Sequence, residues 1–397
     1  MLFDLPTPDK LTEEQKNLIW LNLDSPERKW RWENLVVQWF AGTWKTVVAY
    51  YRALRAERQW KEVLVLCFWK VLRDLLLSEK TSTLKSIKHA DWLYTEIKKE
   101  IKDSKDQRGN ARLTSETRYW YKKLPAINIQ NKSFLTQLFK EYKRIKWYNE
   151  NQSIYSEIII DEGQDLSKDV LEALKVLTDH ISIFADDNQW IFDEDKNTTV
   201  NEMKEIFCPN WKVEYLTANF RTTKQICLFA AEKFLPENEK VRAIGESKTC
   251  VDDPESEPQL FWANAYSKIW LEEFLWKFVK KQWVKYDSIL IVAPRTENVD
   301  NISITLSKKE IPHSVYHSNL NHNMMNKLSP FADFNLISND KSWILVTTYH
   351  SSKWLEADCV FIYMPKTEYQ KTQWDKKNIF YVLSTRAKKK LFIITDF

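Results

Sequence analysis

Leu35-Val36-Val37-Gln38-Trp39-Phe40-Ala41-Gly42-Thr43-Trp44-Lys45-Thr46 is the stretch whose reading decides the fold class. Its apolar start reads as a buried strand, and residues from about 45 to 57 carry helical periodicity. A strand, a loop and a helix opening on Lys-Thr form the context of the phosphate-cradling pattern G-x-x-x-x-G-K-[ST]. In such a loop, backbone N–H groups and the helix N-terminus surround the phosphates. The lysine neutralises β/γ charge and the hydroxyl reaches Mg²⁺. Gly42, Lys45 and Thr46 fit, whereas the two flanking glycines are replaced by Trp39 and Trp44.

Outward from this stretch, apolar strand-like runs alternate with helical segments, the pattern of parallel α/β layers. Strands are expected at 63–68, 156–160, 181–185, 213–216, 259–262, 288–293, 344–348, 359–363 and 391–395. Helices are expected at 167–178, 223–235, 267–279 and 378–387. The spacing predicts a first lobe over 1–75 and 150–225, a basic helical insertion over 76–149, and a second lobe over 226–397. No solenoid-period repeat or low-complexity tract interrupts it.

Charge is unevenly distributed. The whole chain carries a formal +4, but residues 76–149 hold 17 Lys/Arg against 8 Asp/Glu. A basic insertion on a faintly acidic body points to a polyanion met by one region, with a solvated lysine-rich surface as the alternative. Five cysteines, odd in number and without metal-ligand spacing, suggest buried free thiols in a reducing compartment. The chain shows no basic-then-apolar leader and no apolar run of ~18 residues, so a cytoplasmic protein without membrane insertion is expected. With 44% apolar and 29% charged residues, composition excludes collagen-like, disulfide-scaffold and largely disordered classes.

A second motif completes the chemistry. Ile158-Ile159-Ile160-Asp161-Glu162-Gly163-Gln164-Asp165 is a β-run ending in paired carboxylates. An ATPase needs such a pair: Asp161 to hold Mg²⁺ with Thr46, and Glu162 to orient and deprotonate the attacking water. An acidic cap on the following helix is the plainer reading of the same residues.

Taken in order, these blocks resemble a UvrD/Rep-type superfamily 1 DNA helicase of compact form. Leu11-Thr12-Glu13-Glu14-Gln15 resembles the motif whose Gln reads adenine, and Cys67-Phe68-Trp69-Lys70 lies where the family contacts single strands. Asp161–Asp165 matches D-E-x-Q-D, and Ala185-Asp186-Asp187-Asn188-Gln189 resembles G-D-D-x-Q. Asn219-Phe220-Arg221-Thr222-Thr223 resembles N-[YF]-R-[ST]. The run from Thr348 to Glu356 resembles T-x-H-x-x-K-G-L-E, and that from Tyr381 to Ala387 resembles Y-V-x-x-T-R-A.

The resemblance implies two RecA-like P-loop NTPase lobes with parallel sheets and a helical basic insertion in the first. It implies ATP and Mg²⁺ as cofactors, hydrolysis between the lobes, and 3′→5′ movement on single-stranded or partly duplex DNA, with RNA open. Catalytic roles fall on Glu162, Gln189, Arg221 and Arg386. ATP contacts fall on Gln15, Trp39, Gly42, Thr43, Trp44, Lys45, Thr46, Phe220 and Glu356, and the metal on Thr46 and Asp161. Nucleic-acid contacts fall on Phe68, Phe192, Thr348 and His350, and the aromatic, basic run 118–123 is a further candidate.

Three departures shape the expectation. After Gln189 the chain reads Trp190-Ile191-Phe192-Asp193-Glu194-Asp195, too acidic to grip phosphates. Val47 stands where many relatives carry an adenine-stacking Arg. Residues 226–397 leave no room for the large duplex-engaging insertion of full-length relatives, so a translocase is expected before a strong helicase.

The last departure is compositional. The chain has four Gly and nineteen Trp, whereas ~7% Gly usage would give about 28. Trp39, Trp44 and Trp354 occupy family Gly positions, and Trp20, Trp60, Trp283 and Trp343 fall where turn chemistry favours Gly. The expectation is a gene in which UGA encodes glycine, here rendered as tryptophan. If the tryptophans are real, a non-catalytic nucleic-acid-binding protein is the alternative. A P-loop NTPase that acts on no nucleic acid is a third reading, disfavoured by the Thr348–Glu356 block.

Overall fold

The computed structural model describes residues 7–20, 34–39, 45–59, 61–67, 87–89, 95–106, 132–146, 151–189, 198–207, 214–216, 219, 221–237, 239–240, 245, 250–262, 276, 279–282, 285–316, 332–333, 343–353, 355–364 and 377–395. Those up to Leu216 form one compact unit and those from Asn219 onward form another. Each unit is an α/β layer structure on a wholly parallel sheet.

In the N-terminal unit, α1 (Glu13–Trp20) precedes β1 (Leu35–Trp39), α2 (Lys45–Arg58), β2 (Val63–Cys67) and β3 (Ile87–His89). Next come α3 (Thr95–Asp106), α4 (Lys132–Ile145), β4 (Glu157–Asp161), α5 (Lys168–Leu174), β5 (Ile181–Ala185), α6 (Val200–Phe207) and β6 (Glu214–Leu216). The sheet order is β3-β2-β4-β5-β1-β6. β4 and β5 are buried along their whole length, as expected of central parallel strands covered on both faces. Parallel pairing of β4, β5 and β1 brings their carboxyl ends to one edge, where open α/β sheets bind ligands.

The apolar core of this unit joins Leu64, Leu66, Ile158, Ile160, Ile183 and Leu171 to Ile97, Phe134, Leu138 and Phe139 of α3 and α4. The apolar positions of α4 thus fall on one buried stripe. A polar tie crosses the opposite side of the sheet. Arg52 of α2 donates from Nε to Glu157 Oε1 at 2.7 Å and from Nη1 to the Leu18 carbonyl at 2.7 Å. The Ser182 hydroxyl donates to the same Glu157 oxygen. Arg52 and Glu157 are each 1% exposed, so α1, α2, β4 and β5 meet on one buried ion pair.

The C-terminal unit runs α7 (Lys224–Phe234), β7 (Gln259–Trp262), β8 (Ser288–Ala293), α8 (Thr296–Lys308), β9 (His313–Tyr316), β10 (Ala332–Asp333), β11 (Trp343–Thr348), β12 (Ala357–Met364), α9 (Lys377–Ser384) and β13 (Ala387–Thr395). Its sheet order is β10-β9-β11-β8-β12-β13-β7. Val299, Ile302 and Leu306 of α8 pack on Ile289, Ile291, Val346 and Phe361 of the sheet. His313 is buried, with one ring nitrogen 2.7 Å from Ser303 Oγ and the other 2.8 Å from the Ile311 carbonyl. Burial holds this imidazole below its ordinary pKa.

Several elements differ from the sequence reading. The helix expected at 167–178 stops at Leu174, and its continuation tightens into turns ending at Leu177. The strand expected at 391–395 begins at Ala387. α8 and β9 were not anticipated, although Val299, Ile302 and Leu306 carry a helical spacing. Ile87–His89, within the stretch expected to be helical, pairs with β2 as a strand. Of the helix expected at 267–279, only residues 276 and 279 are described, both helical, and the helix continues to 282. Cys227, Cys250 and Cys359 are buried and take part in no disulfide. No helix among the described residues is long and apolar enough to cross a membrane.

Candidate active site

Parallel strands deliver the site at the carboxyl edge of the N-terminal sheet. α2 starts at Lys45, so Lys45 and Thr46 occupy its first turn, both buried. β4 ends at Asp161, and the chain then turns sharply through Glu162, whose backbone is left-handed at φ 59°, ψ 49°. Non-glycine residues rarely hold that conformation, and those that do cluster at functional sites. The next residue, Gly163, packs closely against β5, so a side chain there would force its neighbour to shift. A Cβ on Gly163 would lie 2.3 Å from Ile183 Cγ2.

The two motifs meet although 115 residues separate them. Thr46 Oγ1 donates to Asp161 Oδ2 at 2.6 Å, and Lys45 Nζ lies 2.6 Å from Glu162 Oε1. Gln164 Nε2 donates to Glu162 Oε2, while Gln164 Oε1 accepts from the Asp186 backbone N–H at 3.1 Å. Asp186 in turn accepts from Gln189 Nε2 at 2.7 Å and from the Asn188 N–H at 2.9 Å. The chain of contacts therefore runs from Lys45 through Glu162 and Gln164 to Gln189.

Among the described residues, the cluster is short of positive charge. Three buried carboxylates, Asp161, Glu162 and Asp186, interact there with one buried ammonium, Lys45. Burial, reinforced by the charge of Glu162, raises Asp161 to about 7, against the pull of Lys45 and Thr46. Burial likewise raises Asp186 to about 6, with Lys45 opposing. Asp161 Oδ1 is buried and makes no hydrogen bond. An unsatisfied hard oxygen beside a hydroxyl suits a small divalent cation of the Mg²⁺ type, which binds through one or two protein oxygens and keeps the rest for water or phosphate. A protein cage of three or more His, Cys, Asp or Glu is not found among the described residues.

Other site candidates are placed as follows. Gln15 is buried in a capping box, its Oε1 accepting from the Thr12 N–H at 2.9 Å while Thr12 Oγ1 accepts from the Gln15 N–H at 3.2 Å. Trp39 ends β1, with its side chain outside the description. Gly42, Thr43, Trp44, Phe68, Phe192, Phe220, Trp354 and the run 118–123 lie outside the described residues.

In the C-terminal unit, Arg221 Nε lies 2.7 Å from Glu356 Oε2, and Lys388 Nζ lies 2.7 Å from Glu356 Oε1. Burial alone would raise Glu356, but Arg221 and then Lys388 bring it to about 2. Arg386 is 2% exposed. It donates to the Val382 carbonyl at 2.9 Å, the Lys353 carbonyl at 2.6 Å and Thr385 Oγ1 at 3.3 Å. Thr348 Oγ1 donates to Ser351 Oγ at 3.0 Å, and His350 beside it is exposed.

Residues 344–394 match the family model of the UvrD-like helicase C-terminal domain. The matched segment runs from β11 through β13 and contains Thr348, His350, Glu356, Arg386 and Lys388. A solved structure described as the C-terminal domain of a "possible DNA helicase" from Lactobacillus plantarum is 13% identical, covering 45% of this chain and 88% of its own, with a TM-score of 0.31. No curated protein sequence matches the chain.

Three participants carry no assigned role in the sequence reading. Gln164 and Asp186 stand inside quoted motifs, so the signal was present. Lys388 had no signal of its own, because its reach to Glu356 depends on strand pairing.

Proposed function

We propose that the chain is an ATP-driven motor on single-stranded DNA: a translocase or helicase of compact form, with two RecA-like lobes and a basic helical insertion at 76–149 in the first. The observation that carries this reading is the meeting of Lys45-Thr46 with Asp161-Glu162 at one sheet edge. An acidic helix cap has no reason to gather a lysine and a threonine from the start of another helix.

In this reading Thr46 and Asp161 would hold Mg²⁺, which when bound supplies charge neutralisation at the β and γ phosphates. Lys45 exchanges Glu162 for phosphate oxygens. That exchange frees a Glu162 carboxylate oxygen to accept a proton from the attacking water. Gln164 keeps the other Glu162 oxygen fixed, so the base stays aimed. Gln189 and Arg221 respond to the γ-phosphate, as the resemblance implies. For Arg386 the proposed finger role requires the guanidinium to leave the Val382 and Lys353 carbonyls; until then it pins the turn that carries Glu356. Thr348, the exposed His350, Phe68 and Phe192 are the proposed strand contacts, and DNA or RNA would lie against them.

The tryptophans at the loop decide whether this site works. In the phosphate-loop pattern position 44 is a glycine whose backbone approaches phosphate, and an indole there would remove the conformational freedom such a loop uses. The gene should therefore be expressed in both decodings, with Trp or with Gly at 39, 44 and 354, and phosphate release measured. The glycine form is expected to hydrolyse ATP at least about 100-fold faster, the scale of losing one well-placed donor to the transition state. Equal rates would refute the glycine reading. Nucleic-acid binding without hydrolysis in either form would favour the catalytically impaired alternative.

A further inference from the structure

Lys388 occupies an unusual place in its strand. β12 and β13 pair in parallel with Ala357 opposite Ala387 and Cys359 opposite Lys390, so β13 carries one extra residue between these pairs. Bulges of this kind re-aim side chains. Here Lys388 reaches Glu356 Oε1 at 2.7 Å, and the next residue, Lys389, reaches Asp358 Oδ2 at 3.0 Å. In a regular strand, successive side chains would point to opposite faces.

Glu356 is thus held by two cations on two different oxygens. Arg221 takes Oε2 and Lys388 takes Oε1. The side chain of Glu356 is 15% exposed, so loss of both partners would leave a largely buried, uncompensated charge. The backbone at Arg221 is fixed independently, because Asn219 Oδ1 accepts from the Arg221 N–H at 2.9 Å and from the Thr222 N–H at 3.2 Å. Only the Arg221 side chain needs to move for the pair to open.

We infer that Lys388 is a positioning residue that releases Arg221: it retains Glu356 when Arg221 turns to the γ-phosphate of a bound nucleoside triphosphate. The inference rests on the ATPase reading above, and specifically on Arg221 as a γ-phosphate contact. In the resting chain Glu356 parks Arg221. An incoming triphosphate competes for the guanidinium, and Lys388 keeps the vacated carboxylate paired throughout. Without Lys388, freeing Arg221 would strip Glu356 of its last partner, so Arg221 would stay parked. A diphosphate, which makes no call on Arg221, should be indifferent to Lys388.

The test is calorimetric binding of the β,γ-imido analogue of ATP and of ADP, each with Mg²⁺, to the full chain in whichever decoding hydrolyses ATP. Lys388→Met should weaken the analogue by roughly five- to fiftyfold relative to ADP, and Lys388→Arg should restore most of the difference. In a Glu356→Gln background, Lys388→Met should change the analogue-to-ADP ratio by less than about twofold, because the charge it serves is gone. A purely structural role would lower both affinities together, and that result, or no change in either, overturns the inference while leaving the ATPase reading intact. A wild-type chain that binds neither nucleotide overturns both.

Discussion

Glu162→Gln is expected to slow ATP hydrolysis by roughly 10²–10⁴-fold, the usual contribution of a positioned general base, while nucleotide binding persists. The amide keeps the size of the carboxylate and its single oxygen can still accept from Lys45, while the bond from Gln164 is given up because the other amide atom only donates. What disappears is the capacity to take a proton from water. Binding should not weaken, because among the described residues three carboxylates meet one lysine, and removing one carboxylate reduces the repulsion that an incoming polyphosphate meets. Phosphate release and nucleotide affinity, measured on the same preparation, check both halves. A rate within threefold of wild type would show that Glu162 is a partner of Lys45 and nothing more.

Arg52→Ala is expected to destabilise the N-terminal unit by about 3–5 kcal/mol, because it leaves Glu157 buried without its ion-pair partner. Glu157 would keep only the Ser182 hydroxyl, and its second oxygen already makes no hydrogen bond. The Leu18 carbonyl would lose its 2.7 Å donor as well, loosening α1 from α2. Urea unfolding should show the loss as a midpoint lowered by roughly 1–3 M at ordinary slopes. Replacing both members with apolar residues, Arg52→Met with Glu157→Leu, should recover most of it, since a well-packed apolar pair is often as stable as a buried ion pair. A midpoint unchanged within about 0.3 M for Arg52→Ala would mean that water reaches Glu157.

The α/β character was legible from period alone, because buried parallel strands such as Ile158–Ile160 are unbroken β-branched runs and the helices between them carry a stripe. The limits of that signal are equally physical. Ile87–His89 sits in a polar, basic stretch and is a strand only because β2 offers an edge to pair with. α8 was missed because polar residues dilute its Val299–Ile302–Leu306 stripe. At the candidate site, the sequence motifs pointed to Lys45, Thr46, Asp161 and Glu162 as partners, but not to their resting arrangement. That Lys45 lies on Glu162, that Arg221 lies on Glu356 and that Arg386 is spent on carbonyls are consequences of packing and charge. The bulge that aims Lys388 is a matter of strand register, which one strand's sequence cannot express.

The central claim is that hydrolysis at the β1–β4 edge is coupled to a nucleic-acid strand. It is tested most directly by titrating single-stranded DNA into the chain with Gly at 39, 44 and 354 while phosphate release is followed. The account predicts a saturable rise in rate of about tenfold or more, which weakens as salt is raised because the contact is made to phosphates. A rate that DNA and RNA both leave unchanged at every salt concentration would contradict it.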